Sequence, residues 1–244
     1  MSSATDGPRG GSPPARGVPA VPAQNSPAHD HLEQIIATLQ DHVQGSPLPS
    51  VSAVAERKSD PFHILVSTMI SLRTKDEVTS GASERLLSRA PSAQTLARLG
   101  RKQIAELIYP AGFYNTKAQN LKTVAEVLVS RYDGRVPESM EQLLQLPGVG
   151  RKTANLVRNL GYGLDGICVD THVHRISNRL GWVQTKTPEQ TESALEKLLP
   201  RKFWIPINEL LVRFGQSVCA PVSPFCSRCP IGQHCPRIGV QRSR

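Results

Sequence analysis

No run of roughly 18 apolar residues occurs in the chain, so the sequence offers no membrane-spanning helix. Its N-terminal segment lacks the apolar core of a secretory signal, and none is expected. Acidic side chains are scarce relative to basic ones: 20 Asp and Glu stand against 29 Lys and Arg, a formal net charge of +9. That excess points to a polyanionic partner, DNA or RNA first, with a basic protein lacking such a partner as the plainer alternative. Runs of alternating apolar and polar residues are also missing. No internal repeat is visible. With no strand pattern, the expected class is all-α.

The first 28 residues hold six prolines among Gly, Ser and Ala, and little that could be buried. Such a segment cannot offset its ordering entropy, so a disordered tail over 1–28 is expected. With only Arg9 and Arg16 as cations, it makes a poor transit peptide. From His29 onward the apolar spacing is helical. Leu32, Ile35, Ile36 and Leu39 share one face, and "DPFHILVSTMISLR" opens on Asp60 as N-cap with Pro61 at the first helical position. That second segment is apolar on most sides, which predicts a buried helix.

"SMEQLLQLPGVGRKTANLVRNLG" reads as helix, tight turn, helix. Leu146 and Val149 are apolar anchors, while Gly148 and Gly150 allow unusual dihedrals and let backbone amides approach a ligand closely. Those amides open a helix, where an anion such as a phosphate is favoured. A nucleotide-binding P-loop does not fit, because Arg151 separates Gly150 from Lys152, position 145 is Gln, and no strand precedes the turn. Ala154, Val157 and Gly161 fall on one helical face and Arg151, Asn155 and Arg158 on another, so a packed side and a cationic side are expected.

Lys152 suits either a phosphate contact or a nucleophile. A free lysine is neutral in only about 1 in 2,000 molecules at pH 7. A helix N-terminus, nearby arginines and partial burial all lower that barrier. Asp170, 18 residues on, is placed to cap "THVHRISNRL", which would fix its carboxylate without neutralising it.

Five cysteines occur. Cys219, Cys226, Cys229 and Cys235 form C-x6-C-x2-C-x5-C within 17 residues, with proline after the third and fourth. In a chain without a secretory signal this argues for metal over disulfides. Zinc ribbons carry two tight C-x2-C pairs and this run has one. Its compact Cys-Pro ending favours [4Fe–4S] ligation, with zinc still open at this point. Cys168 stands apart, as a small core residue.

Taken together, these residues resemble endonuclease III, a base-excision DNA glycosylase and abasic-site lyase of the helix–hairpin–helix superfamily, over roughly residues 29 to 237. "LPGVGRKTAN" is similar to the family's hairpin and catalytic lysine, carried here by Lys152. "VDTHVHR" is similar to its catalytic aspartate, carried by Asp170. The four cysteines match its [4Fe–4S] loop. The resemblance implies two helical domains, a six-helix barrel of 54–164 and a cluster domain of 29–53 plus 165–237, with damaged double-stranded DNA in the groove between them. It implies a monomer without membrane contact, working at a prokaryotic nucleoid or in a nucleus. It implies removal of oxidised or ring-saturated pyrimidines through a lysine Schiff base, followed by β-elimination.

Gly148, Gly150, Arg151 and Asn155 are then expected at the DNA, with Arg73, Phe113, Asp76 and His172 in matching site segments. Arg73 stands where the family often has glutamine, and Phe113 where a leucine wedge is common. A solvated charge and a core aromatic are the plain alternatives for these two, and local capping for Asp76 and His172. The loop "APVSPF" lacks the basic residues that relatives often place there, leaving Arg228 and Arg237 as substitutes. Monofunctional relatives generally lack the hairpin lysine, and a non-catalytic DNA-binding module would need neither Lys152 nor Asp170. A small electron-transfer protein would not need so large a helical remainder.

Overall fold

The computed structural model describes residues 31–244, all helices and connecting segments with no strand among them. The expected disordered tail lies outside the described residues. The helices are α1 Leu32–Val43, α2 Ser50–Arg57, α3 Pro61–Ser71, α4 Asp76–Arg89, α5 Ala93–Arg98, α6 Arg101–Ile108, α7 Tyr114–Tyr132, α8 Met140–Leu144, α9 Arg151–Leu156, α10 Thr171–Arg179, α11 Pro188–Leu198 and α12 Pro206–Ser217. None is long and apolar enough to cross a membrane.

Local chemistry sets several boundaries. Asp60 caps α3 by accepting from the amides of Phe62 and His63 at 2.9 and 3.3 Å, and Pro61 occupies the first turn, where no amide is needed. Seven consecutive α3 residues from Ile64 to Ile70 are buried, as an all-round apolar helix requires. Thr68 satisfies its buried hydroxyl on the Ile64 carbonyl at 2.7 Å.

Two apolar cores result. One gathers α2 to α9 around Ile64, Leu65, Leu86, Ile104, Leu121 and Val157. The other joins α1 to the chain after Ile167, around Ile35, Leu39, Ile176, Leu211 and Phe214. From Leu32 the chain lies in the second core, builds the first, and returns to the second. Arg213 of α12 holds the outgoing segment by donating to Ser46 Oγ at 3.0 Å and to the Ser46 carbonyl at 2.6 Å.

After α9 the helix widens into a π turn over Val157–Gly161, which the spacing did not suggest. Gly161 is needed there because a Cβ would stand 3.1 Å from the Pro61 Cα, where α3 begins. After a turn at Gly163, with φ 65°, the chain returns without helix to Asp170. Asn159 holds that return by donating to the carbonyls of Leu164 and Gly166 at 2.8 and 3.0 Å.

Candidate active site

A cleft of about 830 Å³ opens between the two cores. It brings together Arg73, Asp76, Phe113, Gly150, Arg151, Lys152, Asp170 and His172, which come from four separate stretches of sequence. Gly148 and Asn155 are not part of its wall.

The hairpin is held from beneath by Leu146 and Val149, both buried. Gly148 has φ +77°, and a Cβ on it would lie 2.6 Å from Asn120 Nδ2, so this position needs glycine on both counts. Gly150 differs. Its φ of −103° suits any residue, and no heavy atom lies within 4 Å of where its Cβ would be. It is the N-cap of α9 without a side-chain cap, leaving the first-turn amides to face the opening.

Lys152 sits half-buried on the first turn of α9, and its ammonium makes no hydrogen bond or ion pair among the described residues. Asp170 caps α10 through one oxygen: Oδ1 accepts from the amides of His172 and Val173 at 2.8 and 2.9 Å, and Oδ2 accepts from neither. Two contacts place the acid beside the lysine's helix. Asn155 donates to the Ile167 carbonyl at 3.1 Å, and the buried Cys168 thiol donates to the Lys152 carbonyl at 3.6 Å. Burial pushes the Cys168 thiol well up, so it remains a neutral donor.

These contacts correct the expected cationic face of α9. Asn155 is only 1% exposed; it faces protein, donating also to Glu192 Oε1 at 3.0 Å, and cannot reach a DNA backbone. Arg151 borders the cleft but is paired bidentately with Glu192 at 2.7 and 3.0 Å, which spends its charge on the protein. The reason is Glu192 of α11, remote in sequence and nearly buried, which turns this face into a seam between the cores.

Asp76 likewise is no local cap: its oxygens accept from Ser50 of α2 and Gln216 of α12, both at 3.0 Å, linking the two cores at the cleft floor. His172 faces the same floor, and its Nδ1 lies 3.1 Å from Arg175 Nη2. Burial pushes its pKa below the usual imidazole range, with Arg175 and Lys152 adding to the effect and Asp170 opposing it.

Arg73 and Phe113 both adopt left-handed backbone, φ 53° and 55°, and the guanidinium lies 5.6 Å from the Phe113 ring centre. The ring is 64% exposed, so it is not a core aromatic. Two non-glycine residues in this conformation at one cleft edge mark stored strain at a working surface.

The four spaced cysteines surround one apolar void in the second core, walled by Ile176, Leu180, Phe214 and Ile231. None is in a disulfide. Cys219 Sγ accepts from Arg179 Nη1 at 3.3 Å, while Arg179 and Arg175 also brace the Ala220, Pro221 and Cys219 carbonyls. Arg228 does not project freely: its guanidinium lies 4.0 Å from the Phe225 ring centre.

A helical fold that presents a hairpin-borne amine beside a capping carboxylate in an open cleft defines a class, and the comparisons agree. The chain belongs to the HhH-GPD superfamily of base excision DNA repair proteins, whose family model matches residues 66–201. Within that superfamily the likeness is to endonuclease III. The Thermotoga maritima endonuclease III is 49% identical over 179 residues, covering 73% of this chain and 84% of that protein. The Bos taurus endonuclease III-like protein 1 is 44% identical, covering 77% of this chain and 61% of its own length. A solved structure of a trapped endonuclease III–DNA covalent intermediate superposes with a TM-score of 0.76 at 26% identity, over 86% of this chain and 96% of that one.

Proposed function

We propose that this chain removes oxidised or ring-saturated pyrimidines from double-stranded DNA through a Schiff base on Lys152, and then nicks the strand by β-elimination. The observation that carries this reading is the unpaired Lys152 amine in the cleft, beside an Asp170 whose second oxygen is uncommitted by its capping role. A stacked nucleotide hides its sugar carbon, so the damaged one must swing into the cleft. Amides at the start of α9 grip a phosphate of that strand. Arg73 and Phe113 fill the space left in the duplex, with Arg73 facing the opposite base.

Asp170 takes a proton from the Lys152 ammonium. The amine attacks C1′; the Nζ–C1′ bond forms as the bond to the base breaks, and the base leaves with the electron pair and gains a proton. Ring opening gives a protonated imine that acidifies the C2′ hydrogen. Loss of that proton expels the 3′ phosphate.

The test is the product from a duplex carrying one thymine glycol. A strand bearing a 3′ unsaturated aldehyde, formed without alkali, is expected. An intact abasic strand that breaks only on alkaline treatment would reduce the reading to base removal by water.

The four cysteines would hold a [4Fe–4S] cluster. They line one void as free thiols, with an Arg179 donor on the Cys219 sulfur. Four cysteine sulfurs around one void, with a single tight C-x2-C pair, suit a multi-atom cluster more than one zinc. The cluster would supply a cross-link between this loop and α12, and a one-electron redox centre. Purified protein should be brown, with about four iron atoms per chain; colourless, zinc-loaded protein would reverse the assignment.

A further inference from the structure

Lys117 is a charged side chain buried in the first core, with no carboxylate partner among the described residues. It belongs to α7 and is 7% exposed. Its ammonium spends all three donors at short range, on the Ile70 carbonyl at 2.6 Å, the Leu72 carbonyl at 2.6 Å and Thr74 Oγ1 at 2.7 Å. The first two are among the orphan carbonyls at the end of α3, where a cation is favoured. All three acceptors flank Arg73. Thr74 Oγ1 also accepts from the Gly112 amide at 3.1 Å, next to Phe113. The two loops meet backbone to backbone at this point, since a Cβ on Gly112 would stand 2.4 Å from the Arg73 carbonyl oxygen.

We propose that Lys117 is a positioning residue that pins the Arg73 and Phe113 loops to each other, and so sets which base is accepted opposite the lesion without itself touching DNA. Both loops hold a bulky residue in left-handed backbone, a conformation that persists only when its surroundings over-determine it. Lys117 supplies that constraint. Three hydrogen bonds from one ammonium fix Leu72 and Thr74 on either side of Arg73, and the Thr74 hydroxyl passes the constraint to Gly112. Lys117 is not a second nucleophile, because its donors point into the protein.

This inference rests on Arg73 and Phe113 filling the duplex, and the experiment separates the two. Single-turnover base removal is measured for the full-length, cluster-loaded protein on four duplexes that differ only in the base opposite one thymine glycol. Borohydride trapping on a single-stranded abasic oligonucleotide, which has no opposite base to read, is the control. Lys117→Met should slow base removal by roughly tenfold, the scale of losing hydrogen bonds to a charged group, and shrink the spread across the four duplexes to about twofold. Trapping on the single strand should change by less than about threefold, because the lost contacts do not touch the nucleophile. Thr74→Val keeps both carbonyl contacts of Lys117 and removes the hydroxyl that joins its ammonium to the Gly112 amide. It should narrow the spread in the same direction, and it decides the matter if Lys117→Met does not fold. Arg73→Ala should narrow the spread as well. If Arg73→Ala narrows it while folded Lys117→Met and Thr74→Val keep the spread of the unaltered protein, the pin is refuted and the filling role stands. If Arg73→Ala leaves the spread unchanged, both fall together.

Discussion

Replacing Lys152 by glutamine is expected to abolish borohydride trapping and to cut base removal by roughly 10⁴-fold or more, the scale of deleting a nucleophile from a catalytic unit. Binding to lesion-bearing DNA should change by no more than about threefold, because the change removes one charge from a surface rich in backbone donors. The structure explains why the two effects separate. The Lys152 amine holds no other described residue by a hydrogen bond or ion pair, so its loss should leave the fold intact. The hairpin keeps its shape through Leu146, Val149 and Gly148, none of which depends on that amine. Asp170 keeps its place through the α10 cap. A variant that lost binding in proportion to activity would make Lys152 a phosphate contact.

The second large effect concerns stability. Glu192→Ala is expected to cost about 2–3 kcal/mol, because Glu192 is nearly buried and accepts from two side chains, while the half-exposed Arg151 left behind can be solvated. It strands the Arg151 guanidinium and one Asn155 donor, and it removes the acceptor that joins α9 to α11. A midpoint shift in urea unfolding at unchanged slope reads it out. Glu192→Gln, which keeps an acceptor and loses the charge, should fall between the two. A cost under about 1 kcal/mol would place Glu192 with ordinary surface pairs. Base removal should fall as well, since the same seam sets the angle of the helix that carries Lys152.

The parts of this site that were legible in the sequence are the local ones. Asp60 and Asp170 cap the helices they precede, because a capping carboxylate needs only amides two and three residues ahead. Leu146 and Val149 were readable as anchors because the hairpin is short. What the spacing could not give is what each face meets. Arg151 and Asn155 do share a side of α9, but that side meets Glu192 and the Ile167 carbonyl, both set by the return of the chain. Asp76 looked like a cap by its position, yet its partners lie in α2 and α12. The strained backbone at Arg73 and Phe113 has no signature in residue type, because neither is glycine or asparagine. Lys117 has no signal in the sequence, because its partners are carbonyls brought to it where α3 ends.

The central claim is that Lys152, among all the amines of the chain, bonds to the sugar. The most direct measurement is peptide mapping by mass spectrometry of the borohydride-reduced adduct with abasic DNA, after nuclease trimming. The account predicts one modified residue, Lys152, in the peptide that follows the Gly-Val-Gly turn. An adduct on Lys117, or on any other lysine with Lys152 unmodified, would contradict it.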